Sequence, residues 1–381
     1  MLTNIHGPKR PKITQAELNR LLTAHEHFAA GRGGARTHFK LADLEGLNLA
    51  NRVLNEIDFS GASLVDASFH GSNLSHASFY CADLRGADLR NTKMQGADLR
   101  GASFKGARLA YAVLDNADLR AASMMYTGPD GVVISSRTEQ DRIEREAKKP
   151  LSEHGVDFSN CSLKHVSFGN AKLQDVDFSG ALLQGASFKG AQLANVRLRG
   201  AVLTGVNLSD LNLPPEAFAE CVTDSTPESV AKAEPLKKML ETHQLWITSQ
   251  GAQGAAAVLD GEDLRPLSKD FAGRQFTGLS MRNAIALGVD FSGCQLQGAK
   301  FDGADLRDAD FTGADLCGVS FKGANLVQAR FAKARLGNLR LISGDVMAPS
   351  LHGAQAVPQQ FRNTILETPI EALGLDVPAL S

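Results

Sequence analysis

The residues of this chain that could do chemistry are present without the arrangements that chemistry needs. His25-Glu26-His27 puts two imidazoles and a carboxylate in three consecutive positions, the raw material of a metal site. On a helix, residues two apart face different ways, so these two rings cannot close on one ion. His243 stands three residues before the single tryptophan, Trp246, and that pair reads as packing. Cysteines at 81, 161, 221, 294 and 317 show neither paired disulfide spacing nor a Cys-x-x-Cys signature and read as reduced thiols. Asp83, Asp88, Asp98, Asp118, Asp305 and Asp315 each precede a leucine. So regular a placement suits the turns and surface of a repeat better than a pair of carboxylates for acid–base work. No glycine loop ends in Lys-Ser or Lys-Thr, and neither a Gly-x-Ser-x-Gly elbow nor a Cys/His nucleophile pair occurs. The expectation is a protein that is not an enzyme and needs neither cofactor nor metal.

The elements that position these residues follow from a period of five. A large apolar residue falls at Leu44, Leu49, Leu54, Phe59, Leu64 and Phe69 and continues to Met124. The beat returns from Phe158 to Leu213, and is cleanest again from Phe291 to Leu341 after a ragged start at Leu259. Two residues before most of these positions stands a small residue such as Ala62, Ala77 or Ala87. A helix would rotate such residues by roughly 140° per step and smear them over every face, and a strand would flip them at each step. A coil that turns a corner every five residues buries both the large and the small residue. Phe and Leu also alternate, as in Phe158, Leu163, Phe168 and Leu173, which gives a period of ten and an even number of sides. Four sides and twenty residues per coil then place Phe291, Phe311 and Phe331 in one stack. Glycines after many motifs, such as Gly86, suit the corners.

The units Ala-Asp-Leu-Arg-Gly and Ala-Ser-Phe-Lys-Gly resemble those of the pentapeptide repeat family, over about two thirds of the chain. The resemblance implies an all-β solenoid, a right-handed quadrilateral β-helix with four repeats per coil, usually closed by helical caps. Arg52, Ala286 and Pro349 depart from the pattern, and a bulge or coil end is expected near each. Members of the family include proteins that protect DNA gyrase by resembling DNA.

A longer repeat divides the chain. Leu22, His25, Phe28, Gly34, Phe39 and Leu44 align with Leu240, His243, Trp246, Gly254, Leu259 and Leu264. Both segments read as a short amphipathic helix and a glycine turn entering a first coil. His25, Phe28, His243 and Trp246 are therefore expected to pack structural caps, since a solenoid end exposes strand edges and an apolar cross-section. The expected organisation has two modules. Residues 1–38 form an N-terminal segment with a helical cap, 39–124 coils, 125–155 a loop or helix excursion, and 156–213 further coils. Residues 214–254 form a helical linker and second cap, 255–351 the second repeat module, and 352–381 a C-terminal cap or tail.

A net charge of −2 and a pI near 6.6 favour neither a strongly basic nor a strongly acidic partner, and direct nucleic-acid binding is not indicated. Met1 to Pro11 lacks signal features, and no run approaches the roughly 18 apolar residues of a membrane span, so the expected location is cytoplasmic. The leading functional expectation is a non-catalytic protein–protein interaction scaffold on a rigid rod, with a protein partner of unknown identity. The family resemblance gives an alternative, a DNA-mimicking modulator or protector of a type II topoisomerase. A second alternative is a non-classically secreted effector. Phe361, Ile365, Leu366, Ile370 and Leu373, at roughly helical spacing, are expected either to cover the last coil or to pair two chains as a homodimer.

Overall fold

The computed structural model describes residues 11–122 and 155–375, with the backbone of two short strands between them. The chain divides into two compact units, Met1–Asp224 and Ser225–Ser381.

One repeat shows why the coil forms. In Ala82-Asp83-Leu84-Arg85-Gly86 the side chains of Ala82 and Leu84 are buried in the core. Asp83 bridges in parallel to Ser63 on one coil and Ser103 on the next. The amides of Asp83, Leu84 and Gly86 donate to Ala62, Ser103 and Lys105 at 2.9, 2.8 and 3.0 Å, and Ala87 closes the corner onto Leu84 at 3.1 Å. Most backbone amides of the repeat are thus spent on a neighbouring coil or on the corner, and that of Arg85 donates to the Asp83 carboxylate at 3.3 Å. Asp43, Asn48, Val53 and Asp58 bridge to Ser63, Ser68, Asn73 and Ser78, so a coil has four sides of five residues. The rings within it stack and cross. Phe39–Phe59 and Phe59–Phe79 lie parallel at 5.6 and 5.2 Å, while Phe69 meets Phe59 edge-on at 80°.

In the first unit, helix α1 (Gln15–Ala29) starts at Thr14, whose hydroxyl accepts the Glu17 amide. Its Leu18 and Leu22 join the core of the first coils. The twenty-residue register holds until Arg108, which bridges to Asp157, so 29 additional residues leave the coil there. Within them β1 (Met125–Thr127) pairs antiparallel with β2 (Val133–Ser135), with Tyr126 opposite Ile134. The excursion was expected to hold a turn followed by a short helix or loop, and it begins with this hairpin. Gly128-Pro129-Asp130-Gly131 reads as a turn in the sequence; the unread signal was the triplet of β-forming residues on either side of it. The charge-dense run 137–149 lies outside the described residues. The coil resumes, with β3 (Lys172–Gln174) parallel to β4 (Gln192–Ala194), and continues past residue 213 to the Val202–Val222 bridge. Two 3-10 turns, Leu208–Leu211 and Pro215–Phe218, carry that last coil where the leucine beat fades.

The second unit opens with α2 (Pro227–Ala231) and α3 (Ala233–Thr248). Its first coil takes 22 residues, Val258 to Ser280, because the 3-10 turn Arg265–Leu267 enlarges one corner. The ragged beat of the sequence has that cause. Register then stays at twenty until β5 (Arg335–Leu336). Next the chain leaves as a hairpin of β6 (Leu339–Arg340) and β7 (Val346–Met347), and Ser320 bridges to Ser350 thirty residues on. The beat therefore ends at Leu336 and not Leu341, whose side chain is exposed. Coiling also continues beyond residue 351: β8 (Ile365–Leu366) pairs parallel with β5, and Leu351 donates to Leu373 at 2.8 Å. The tail, whose apolar residues stand at roughly helical spacing, is two 3-10 turns flanking a strand. Phe291–Phe311, Phe311–Phe331 and Phe331–Phe361 form one column at 5.0, 5.2 and 4.6 Å. Of the three departures, Arg52 lies on the first coil, where Val53 bridges onward to Asn73, Ala286 follows Ile285, which bridges back 22 residues to Asp263 across the enlarged coil, and Pro349 adjoins the returning hairpin.

Candidate interaction surface

Three kinds of side chain were candidates for function, and the fold puts each in a distinct place. The aspartates before leucine lie on the coil sides, not at the turns, and are paired. Asp83 accepts two bonds from Arg85, Nε at 2.8 Å and a terminal guanidinium nitrogen at 2.7 Å. Because the motif is Asp-Leu-Arg, both ends of the pair flank one inward leucine, and the same fork recurs at Asp88–Arg90, Asp98–Arg100, Asp118–Arg120, Asp263–Arg265 and Asp305–Arg307. Further arginines reach between coils, Arg108 to Asp88 at 3.1 Å and Arg197 to Asp177 at 3.0 Å. Burial works against the charge of Asp88, yet bonds from the Arg90 side chain and backbone and the field of Arg108 hold its carboxyl below the usual range. These sides present matched pairs, not rows of free carboxylate.

The histidine candidates are buried where helix meets coil. His25 Nδ1 accepts the Thr37 amide at 3.3 Å and His243 Nδ1 accepts the Ala257 amide at 3.0 Å. Phe28 is exposed, 6.2 Å from the His25 ring, and the half-buried Trp246 lies 5.6 Å from His243. His27, in the last turn of α1, shares no site with His25, and among the described residues no cluster of His, Cys, Asp or Glu could hold a metal ion. Gly34, at φ +90°, fits against α1, where an added Cβ would strike the Ala24 carbonyl and stand 3.0 Å from the Phe28 nitrogen. Gly254 meets Thr242 and Trp246 in the same way. Gly34→Ala is expected to cost about 2 kcal/mol or more in thermal unfolding, because strain and overlap add. Gly33→Ala, also at positive φ but with nothing within 4 Å, should cost only about 1 kcal/mol. Equal losses at the two positions would contradict this account.

The thiols are equally committed. Cys161, Cys221 and Cys294 occupy the small inward position and donate to Leu109, Leu198 and Phe271 carbonyls at 2.8, 3.1 and 2.9 Å. Ser72 makes the equivalent bond to Leu49 at 2.7 Å. Burial pushes the Cys294 and Cys317 thiols up to about 11 and holds Cys161 well above the ordinary thiol range, which disfavours the nucleophilic thiolate.

What remains distinctive is the β6–β7 hairpin. At its tip Ile342 is fully exposed beside Leu341, and Val346 and Met347 are exposed on its arm. Its base is fixed to the coil. Glu367 accepts the Asn338 amide at 2.8 Å and pairs with Arg335 at 3.2 Å, and Leu339 and Met347 lie over the bare corners of Gly298 and Gly318. A Cβ on Gly318 would stand 2.7 Å from that of Leu339. In the sequence the beat reads through this stretch to Leu341, with a departure only at Pro349; the missed signal was Leu339 to Ile342 followed by Ser-Gly-Asp, a strand and a turn. The apolar residues expected to serve a homodimer are mostly spent within the chain, since Phe361, Ile370 and Leu373 are buried in the core and only Ile365 is exposed.

A family model described as pentapeptide repeats matches residues 42–80, 82–120, 275–313 and 309–343, and a second, described as a pentapeptide repeat region, matches 153–226. Among solved structures, a pentapeptide repeat protein of the Arabidopsis thaliana thylakoid lumen is 38% identical over 20% of this chain and 53% of its own, with a TM-score of 0.20. This chain thus spans about half of that protein. QnrB1, a plasmid-mediated fluoroquinolone resistance protein, is 22% identical over 51% of this chain and 83% of its own, with a TM-score of 0.25. HetL, a pentapeptide repeat protein involved in heterocyst differentiation regulation in the cyanobacterium Nostoc, is 17% identical over 87% and 98%, with a TM-score of 0.17. Comparison with curated proteins finds no match.

Proposed function

We propose that this chain, which belongs to the pentapeptide repeat family, is a non-catalytic scaffold that binds a protein partner through the side hairpin of its second unit. The observation that carries this reading is the contrast between the Asp–Arg-paired coil sides and an apolar projection, Leu341, Ile342 and Val346, on a braced base. Coil sides closed by their own Asp–Arg forks offer little to a partner. An exposed apolar tip that the coil does not need can serve as an anchor, because a few buried apolar residues dominate most interfaces. We read the two units as modules, each closed at its first coil by a helix, α1 or α3, with right-handed coiling, as the family implies. No helix among the described residues is long and apolar enough to cross a membrane, and a cytoplasmic location is part of the same proposal.

Affinity capture from the native host with the full chain and with Ile342→Glu tests the reading. The variant should leave thermal stability unchanged, since the side chain touches no core, and should lower recovery of the specific partner about tenfold or more. Equal recovery by both proteins would refute the hairpin as the contact. A parallel gyrase supercoiling assay separates the DNA-mimic alternative, which needs uncompensated carboxylates that the Asp–Arg forks do not leave at those positions.

A further inference from the structure

The two buried histidines do more than fill space, because each is wired to the backbone of the coil it covers. His25 receives the Thr37 amide at Nδ1, so the proton of its ring must sit on Nε2, which donates to the Asn55 carbonyl at 3.0 Å. His243 receives the Ala257 amide in the same way, while its Nε2 lies near the Thr277 carbonyl without hydrogen-bond geometry. Thr37 and Ala257 are equivalent positions, each two residues before the first inward residue of its unit, Phe39 or Leu259. Both rings have no exposed surface. One tautomer of the neutral ring fits this arrangement. An imidazolium does not, because it would aim an N–H at an N–H and place a charge on a ring that no water reaches.

We propose that His25 and His243 are acid-sensitive latches, whose protonation releases α1 and α3 from the first coil of each unit. The groups around them bear this out unequally. Beside His25 stand Glu26 and Glu56, which favour the cation, and Arg36, which opposes it. Glu26 is already engaged with Arg52 at 2.9 Å and with the Val53 amide at 3.2 Å. Around His243 the packing is Phe276, 6.0 Å away, and Trp246. Burial lowers both histidines from 6.5, and the backbone carbonyls of Asn55 and Thr277 offset part of that. Below 6.5 the unfolded chain therefore takes up protons that the closed junction refuses. The junction keeps its full stability above 6.5 and loses it progressively as pH falls toward the lower folded values. What opens is specific: the helix leaves, and the first coil presents unpaired strand edges that another strand could take.

The molecule carries its own reporter, since Trp246 is the only tryptophan and an imidazolium beside an indole quenches its emission. In the full chain, Trp246 emission should fall reversibly by about half or more between about pH 7.5 and about pH 5. Over the same range, amide exchange in α1 and α3 should rise about tenfold or more while the Phe291–Phe331 coils stay protected. His243→Gln keeps an acceptor and a donor without titrating, and should flatten the emission profile; His25→Gln should remove the acid response of α1 alone. Identical profiles for wild type and His243→Gln, or equal helix protection at both pH values, would overturn the proposal. Should a glutamine variant fail to fold, ring-proton titration of both histidines in the unaltered protein decides: midpoints at or above 6.5 refute the latch.

Discussion

Phe311→Asp will unfold the whole second unit, not one coil of it. The ring lies in a column, parallel to Phe291 and Phe331 at 5.0 and 5.2 Å, and it meets Phe301 and Phe321 edge-on at 5.8 and 5.5 Å. Removing it costs about 3 to 5 kcal/mol in transfer and cavity alone. The carboxylate adds several more, because nothing in that interior can bond to it. Domains are stable by about 5 to 15 kcal/mol, so the sum consumes most or all of the reserve. A coil is held only by the coils on either side, so an interior coil that fails takes two interfaces with it. Circular dichroism should show loss of cooperative unfolding, and amide exchange should show loss of protection from Leu259 to Phe361. Exchange confined to the coil of Phe311 would refute the coupling.

The second large effect separates two copies of one motif. Asp83–Arg85 and Asp118–Arg120 have the same fork, 2.7 and 2.6 Å at the closer contact, but differ in solvent. Side-chain exposure is 4% for Arg85 and 8% for Asp83, against 52% and 27% in the other pair. Asp83→Asn strips a buried guanidinium of its carboxylate and should cost about 3 to 5 kcal/mol in urea unfolding. Asp118→Asn should cost about 1 kcal/mol or less, since water screens the loss. Geometry alone would predict equal effects; burial decides between them. If the two variants unfold at the same urea concentration, the burial argument fails.

Much of the coil was legible because its signal is redundant. The column Phe291, Phe311, Phe331 could be written down from spacing, since each ring repeats one constraint, an inward position every twenty residues. Phe361 continues the column thirty residues after Phe331 and was not legible, because the inserted hairpin breaks the count. The alignment of His25 with His243 was visible, as was the kinship of Gly34 and Gly254. Their hydrogen bonds were not, because a histidine on an apolar helix face gives no hint of which amide it meets. The spacing of the tail was ambiguous for a physical reason. Apolar residues three to five apart suit a helix, but they equally suit a chain that turns corners, and Pro358 and Pro369 in fact start 3-10 turns. The Asp-Leu-Arg fork needed only the knowledge that residues on either side of an inward leucine point the same way.

The twenty-residue register has a consequence for how such a chain changes length in evolution. Each coil meets its neighbours through the same four bridges, so duplicating one coil's worth of codons inserts a part whose two faces already fit. Each such event adds about 4.8 Å of rise and leaves both ends as they were. Length behaves as a counted quantity, adjusted in equal steps, and the distance between whatever the two ends hold can be inherited, lengthened or shortened without inventing a new contact.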